Sequence, residues 1–314
     1  MDTIHQNGRR RMLKLIGGGS ALLAMSKLRT AAGAMNPPAE MLKRPIPRSG
    51  ELLPAVGLGT WQTFDVGPHD PARAELREVL RLLAALGGKV VDSSPMYGEA
   101  ERVVGDLGAE LGLRDRLFLA TKVWTSGREA GIRQMEASLR LMRTTYVDLM
   151  QVHNLLDLDT HLRTLREWRA AGKIRYLGIT HYHAGAYAEL ERLVKTGEYD
   201  FVQFNYSMDE REAEARLLPL CADSGTAVLV NRPFSQAGLF GKVRGRPLPP
   251  WAAEFDCASW AQFFLKYILS HPAVTCAIPG TRRVAHLEDN LQAGRGRLPD
   301  AALRRRMVEY IGRL

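Results

Sequence analysis

The sequence predicts an α/β chain closing into a single (β/α)8 barrel, with an N-terminal β-hairpin and an extra C-terminal helix. Three observations predict it. Short Val/Ile/Leu-rich runs without strict alternation recur from residue 55 to residue 293, as strands buried on both faces require. Between them, apolar residues recur at helical spacing, and there are eight such runs. The chain has 314 residues, enough for one barrel of about 250 residues with extensions.

Taken in order, residues 1–34 come first. They carry Arg9, Arg10, Arg11, Lys14, Lys27 and Arg29 against Asp2 alone. Arg9-Arg10-Arg11-Met12-Leu13-Lys14 resembles a twin-arginine export consensus, with Met12 where Phe is usual. The apolar stretch Leu15 to Met25 is too short to cross a bilayer core of about 30 Å as a helix. Ala32-Gly33-Ala34 has the small-x-small form of a signal peptidase site. This resemblance implies a removable signal peptide over 1–34, a twin-arginine translocase partner, a mature 35–314 domain and a periplasmic or exported location. No other run suggests stable membrane insertion.

Next, Arg44-Pro45-Ile46 and Leu52-Leu53-Pro54 flank a Ser49-Gly50 turn, which predicts a hairpin plugging the barrel floor. Strands follow near 55–60, 89–93, 117–122, 147–153, 174–180, 201–204, 226–231 and 275–279. Leu76, Val79, Leu80 and Leu83 mark the first helix; Val103, Leu107 and Leu111 the second. Ile132, Met135, Leu139 and Met142 mark the third, and Trp260, Phe263, Phe264 and Tyr267 a later one. Residues 232–255, rich in Gly and Pro, read as a long functional loop. Pro299 and Asp300 open a last helix. A doubly wound dinucleotide fold needs a third glycine and a helix after Gly57-Leu58-Gly59, and neither is present. The TIM-barrel plan is therefore preferred.

Composition narrows the function. Cys221, Cys257 and Cys276 are too few and too scattered for a disulfide framework, a zinc site or a redox dithiol. The formal charge is +9, but five of those nine charges fall in residues 1–34. The rest is diffuse and has no basic-aromatic module, so a nucleic-acid partner is not expected.

Chemistry in such a barrel belongs at the C-terminal ends of the strands. Thr60, Asp92, Lys122, His153 and Thr180 end five successive strands, and Tyr97 lies five residues beyond Asp92. An ordinary phenol, with a pKa of about 10, is a poor acid at neutral pH. An ammonium beside Tyr97 is expected to lower that value, and Asp92 to keep Lys122 charged. Tyr97, Lys122 and Asp92 then form a proton relay, with His153 reaching the same substrate oxygen. No second strand-end carboxylate supports glycoside hydrolysis. His153, His181 and His183 lack regular metal spacing, so no metal is expected.

These residues lie in Gly57-Leu58-Gly59-Thr60-Trp61, Asp92-Ser93-Ser94-Pro95-Met96-Tyr97-Gly98, Ala120-Thr121-Lys122-Val123, Asp148-Leu149-Met150-Gln151-Val152-His153 and Ile278-Pro279-Gly280-Thr281-Arg282. Through them the chain resembles the aldo-keto reductases. The resemblance implies a catalytic tetrad of Asp92, Tyr97, Lys122 and His153. It implies reduction of a small aldehyde or ketone by NADPH, with NADH the lesser choice and no metal. Cofactor contacts implied by position are Thr60, Trp61, Asn154, Thr180, Gln203, Asn231, Arg232, Gly280, Thr281, Arg282, Asp289 and Asn290. Two positions depart from the family pattern. His181 stands where Asn is usual, and Asn231 stands where an aromatic residue stacks on the nicotinamide. Arg282 suits a 2′-phosphate, because a guanidinium can make two bonds to it.

Trp61, Met96, Trp124 and Tyr182 are the expected substrate-pocket lining and favour an apolar carbonyl compound. Two other readings compete with the reductase. One is a nucleotide-binding regulatory module with vestigial turnover, against which the intact tetrad stands. The other is Schiff-base chemistry on Lys122, against which Asp92 stands by holding that amine protonated.

Overall fold

The computed structural model describes residues 40–314. The export signal expected over 1–34 and the first residues of the expected mature domain lie outside them. The hairpin forms from β1 (Lys43–Pro45) and β2 (Leu52–Pro54), paired antiparallel around Ser49-Gly50. β3 (Leu58–Gly59) is followed by α1 (Ala72–Ala85), β4 (Val90–Asp92) by α2 (Ala100–Glu110), and β5 (Phe118–Val123) by α3 (Arg128–Leu141). β6 (Val147–His153) leads to α4 (Leu158–Ala170), β7 (Ile174–Thr180) to α5 (Tyr187–Val194), and β8 (Phe201–Asn205) to α6 (Leu217–Asp223). β9 (Ala227–Asn231) leads to α7 (Gly238–Lys242) and α8 (Trp260–Leu269). β10 (Val274–Ala277) leads to α9 (Val284–Gln292) and α10 (Ala301–Gly312).

β3 to β10 pair in parallel in sequence order, and bridges from Val56 to Ala277 and from Gly59 to Gly280 close the ring. The closing seam explains two glycines. A Cβ on Gly57 would lie 2.8 Å from Val90 Cβ, and one on Gly59 would lie 2.8 Å from the Ile278 carbonyl oxygen. Strands can meet here only where side chains are missing.

Strand alternation sorts the apolar residues into two cores. Val91, Leu119, Met150, Val152, Ile179, Val202 and Val230 face the helices, meeting the stripes of α1 to α10. Val90, Phe118, Leu149, Tyr176, Phe201 and Leu229 fill the barrel interior, and Ile46 and Leu53 of the hairpin join them from below. The plug is held by charge as well. Glu51 accepts from the Tyr176 hydroxyl at 2.7 Å and from Arg175 at 2.5 Å, and Arg175 also reaches Asp148 at 2.8 Å.

The 232–255 segment is more ordered than a loop. It contains α7 and a 3-10 turn over Pro250–Phe255. Leu239 is fully buried, and Phe240 packs against Phe234 and Phe264 with ring centroids 4.9 and 5.7 Å apart. Gly238 opens α7 and Pro250 opens the 3-10 turn, while Phe240 between them packs on Phe264 of α8. Ser235, Gln236 and Ala237 all adopt positive φ, a strained path that this packing holds in place. The C-terminal helix is capped by Asp300, which accepts from Leu303 N–H at 2.8 Å. It docks through Arg304, bonded to Glu214 at 2.7 Å and to the Tyr206 hydroxyl at 3.0 Å. No described helix is long and apolar enough to cross a membrane.

The seam sets a stability test. Gly59→Ala forces a methyl against a backbone carbonyl that cannot rotate away, and overpacking of this kind costs about 1–3 kcal/mol. Gly67 has nothing within 4 Å of the same position. Thermal denaturation is expected to show a lower Tm for Gly59→Ala and a Tm near wild type for Gly67→Ala. Equal Tm values for the two variants would refute this account of the seam.

Candidate active site

Above the apolar interior, the same inward-facing positions turn polar. Asp92 ends β4, Lys122 lies one residue from the end of β5, and Gln151 and His153 share one face of β6. Asp92 Oδ2 accepts from Lys122 Nζ at 2.7 Å. Its Oδ1 accepts from Gln151 Nε2 at 3.1 Å and Gln203 Nε2 at 2.9 Å. Lys122 also donates to the Ser93 carbonyl at 2.7 Å and is fully buried. A buried carboxylate and ammonium thus satisfy each other, with neutral donors completing the carboxylate's shell. Burial alone would lower the pKa of Lys122. Asp92 and Tyr97 outweigh it and hold the ammonium's pKa above its ordinary value.

Tyr97 sits over this pair, with Lys122 Nζ 4.9 Å from its ring centroid. Its direction of shift differs from the sequence expectation. Burial raises the phenol's pKa, Lys122 opposes that, and the nearby Asp92 charge adds to the rise. The phenol is therefore more firmly protonated than usual, chiefly because burial disfavours the phenolate, with the carboxylate that keeps Lys122 charged adding to the effect. His153 stands edge-on to Tyr97, centroids 6.0 Å apart, and its Nδ1 lies 3.0 Å from Ser94 Oγ. Burial first, then Lys122 and His181, push its pKa down to about 2, so the ring is neutral.

Trp61, Met96, Trp124 and Tyr182 are four of the five large hydrophobic side chains exposed among the described residues. Each follows a strand end, and together they form an apolar rim. Two of its members are tied to neighbouring groups. Gln134 of α3 accepts from Trp124 N–H at 2.6 Å and donates to its carbonyl at 3.1 Å. Arg232, expected at the cofactor, donates to the Tyr182 carbonyl at 2.9 Å, with its guanidinium 5.5 Å from the Tyr182 ring centroid.

The other expected cofactor residues fall into two groups. Near the tetrad, the Thr60 hydroxyl is committed to the Asp92 carbonyl and Ser93, both at 3.0 Å. Thr180 Oγ1 donates to Gln203 Oε1 at 3.2 Å, and Asn231 Nδ2 reaches the same oxygen at 3.3 Å. Gln203 is thus a cross-brace between Asp92 and two neighbouring strands. Unpaired buried atoms remain on Asn154 Oδ1, Asn231 Oδ1 and both ends of the Asn205 carboxamide. Those orphans near the polar end of the barrel fit the carboxamide of a nicotinamide, which brings one acceptor and two donors.

At the far group, Thr281 Oγ1 accepts from Arg283 N–H at 3.0 Å just before α9. Arg282 and Arg283 line a cavity of about 380 Å³ with Asp70 and Glu75, beside Gly280 at the seam. Neither guanidinium has an ion pair among the described residues, which fits an anionic phosphate. Asp289 is engaged internally, accepting from Ser259 Oγ and Gln262 Nε2, both at 2.7 Å. Asn290 is buried on α9. His181 and His183 lie with ring centroids 4.3 Å apart, and no described group of three or more His, Cys, Asp or Glu residues could hold a metal.

The sequence alone assigns no role to Gln151, Asn205, Ser93 and Ser94 of this site. Parity could have found the first two. Gln151 lies two residues before His153, and Asn205 lies two after Gln203, so each shares an inward face. Ser94 lies on a loop, where no period applies.

Residues 55–305 match the profile of the aldo/keto reductase family. The chain belongs to that family. It is 32% identical over 259 residues to a methylglyoxal reductase of Escherichia coli K12, covering 80% of this chain and 89% of that enzyme. It is 28% identical over 234 residues to an NADH-specific methylglyoxal reductase of the same organism, covering 65% of this chain and 70% of the other. An aldo/keto reductase of Klebsiella pneumoniae, solved with NADP and acetate, superposes with a TM-score of 0.72 at 28% identity, covering 83% of this chain and 93% of that one. The protein is an NAD(P)H-dependent oxidoreductase of the aldo-keto reductase class, whose members reduce carbonyl compounds.

The buried His153 sets a pH dependence. An unfolded histidine titrates near pH 6.5 and this one only at about 2, so below pH 6.5 the unfolded state takes up a proton that the fold refuses. Stability falls as pH falls through that window, by about 1 kcal/mol per pH unit from this group. His153→Gln is expected to flatten the Tm-against-pH curve between pH 6.5 and 5. Parallel curves for the two proteins would exclude His153 as a source.

Proposed function

We propose that the protein reduces an aldehyde or ketone to an alcohol with NADPH, and that Tyr97 is the proton donor. The observation that carries this reading is the convergence of Tyr97, Lys122, Asp92 and His153 on one polar layer beneath an apolar rim. Reduced nicotinamide, when bound, supplies the hydride. The chain's own residues do the rest. The neutral His153 and the Tyr97 hydroxyl hold the carbonyl oxygen. Tyr97 transfers its proton to that oxygen as charge develops, and Lys122 stabilises the phenolate left behind. The rim of Trp61, Met96, Trp124 and Tyr182 excludes water and favours an apolar carbonyl substrate. A small dicarbonyl such as the E. coli relative's methylglyoxal belongs in the same substrate panel.

Tyr97→Phe keeps the ring and removes the proton. Steady-state assays across a carbonyl panel are expected to show kcat lower by about 10²–10⁴-fold, the usual share of general acid catalysis. Fluorescence titration is expected to show NADPH affinity nearly unchanged. Retention of more than a tenth of kcat would assign the proton to another group.

The preference for NADPH rests on Arg282, whose guanidinium has no ion pair among the described residues and borders the cavity beside α9. Arg282→Ala is expected to weaken NADPH far more than NADH, because only NADPH carries the 2′-phosphate. The NADH-specific relative makes the opposite outcome informative, since equal losses for both cofactors would remove Arg282 from that role.

Export belongs to the same proposal and is supported by Arg9-Arg10-Arg11, the apolar stretch to Met25 and Ala32-Gly33-Ala34. Twin-arginine translocation carries folded proteins, so the barrel can leave the cytoplasm without disulfides and with its nucleotide in place. Replacing Arg9 and Arg10 with Lys is expected to retain the precursor in the cytoplasm with activity intact. Cell fractionation with N-terminal sequencing checks this; an uncleaved cytoplasmic protein in both cases would end the export reading.

A further inference from the structure

Ser94 lies on the loop that connects Asp92 to Tyr97. Its side chain is fully buried. Ser94 Oγ lies 3.0 Å from His153 Nδ1 and accepts from Met96 N–H at 3.3 Å, while the Ser94 carbonyl accepts from Tyr97 N–H at 3.0 Å. One small residue therefore touches the tetrad histidine, the tetrad tyrosine and the rim methionine.

The hydroxyl's own proton decides more than its packing. A serine hydroxyl has one proton and two lone pairs, and Met96 N–H occupies one lone pair. Among the described residues, the only other partner of Oγ is His153 Nδ1. Suppose Nδ1 carried the imidazole proton. It would fill the second lone pair, and the buried hydroxyl proton would be left without an acceptor, which is a costly state. With the proton on Nε2 instead, Ser94 Oγ–H donates to Nδ1 and each of these atoms is satisfied. His153 is neutral in this site, so it holds one ring proton and its tautomer decides whether it donates or accepts.

We infer that Ser94 is a positioning residue that locks His153 in the Nε2–H tautomer and so makes it a hydrogen-bond donor to the substrate oxygen. The lock is a property of the fold; its use rests on the reductase reading. A carbonyl oxygen gaining negative charge attracts an N–H and is repelled by a ring lone pair. The wrong tautomer would thus oppose the same proton transfer that Tyr97 performs.

The experiment is a long-range ¹H–¹⁵N correlation spectrum of the histidine-labelled full chain at neutral pH, with His153 assigned from a His153→Gln sample. The expected wild-type spectrum has a protonated Nε2 and an unprotonated Nδ1. Ser94→Ala is expected to populate both tautomers and to lower kcat about tenfold, roughly the worth of one hydrogen bond, with KM little changed. Ser94→Thr, which restores the hydroxyl, is expected to restore both. A protonated Nδ1 in wild type overturns the inference, and so does a Ser94→Ala protein whose His153 signals match wild type. Should the variants fail to fold, the wild-type spectrum alone still decides. A protonated Nε2 in a protein that turns over no carbonyl with either nicotinamide supports the lock and overturns the reductase reading.

Discussion

A carboxylate and an ammonium buried together in a barrel, Asp92 and Lys122 at 2.7 Å, impose the constraint on which the site depends. Either charge alone at that depth would be prohibitively costly, and the pair is tolerable only if every remaining lone pair and proton is also satisfied. That requirement reaches outward. Gln151 and Gln203 complete the Asp92 shell, the Ser93 carbonyl takes a second Lys122 proton, and Thr180 and Asn231 orient Gln203. Five successive strands and β9 are thus drawn into one network, with little freedom for any member to turn.

The lower half of the barrel supports that network with closely packed apolar side chains. Phe118, Tyr176 and Phe201 pack at centroid separations of 5.6 to 6.0 Å, and the hairpin seals them from below. Strand alternation produces both halves with one rule: inward positions are apolar early in a strand and polar at its end. The helices contribute through their own stripes and keep the outer face of each strand covered.

That rule also explains what was legible in the sequence. Strand ends recur at one βα unit, so spacing alone brings Asp92, Lys122 and His153 to one end of the barrel, while the part of Trp61, Met96, Trp124 and Tyr182 in a substrate pocket belongs to the proposal above. The hairpin and the last helix announced themselves through turn and capping residues. Properties set by neighbours distant in sequence were not legible. Tyr97 was expected to be acidified by Lys122, but desolvation and Asp92 prevail, and neither magnitude can be read from residue order. Arg232 braces Tyr182 through a contact 50 residues away in the chain. The 232–255 segment looked unstructured because its Gly and Pro residues outweigh the brief apolar face that builds α7.

The raised Tyr97 pKa also separates the possible chemistries. A nucleophilic amine needs a neutral lysine, and Lys122 is held protonated by the adjacent carboxylate, so Schiff-base formation is disfavoured by the same pair that organises the site. A phenol acting as a base would need the phenolate, which burial and Asp92 oppose. A phenol acting as an acid needs its proton at rest and a cation close by once the proton has gone. Lys122 supplies that cation 4.9 Å from the Tyr97 ring without being neutralised in the resting state. Asp92 therefore acts in two opposed ways, keeping the cation available and keeping the phenol protonated until charge appears on a neighbouring oxygen. Of these roles, the proposed proton donation is the one compatible with a phenol that is protonated at rest and a lysine that stays charged beside it, Lys122 being the group that eases the transfer.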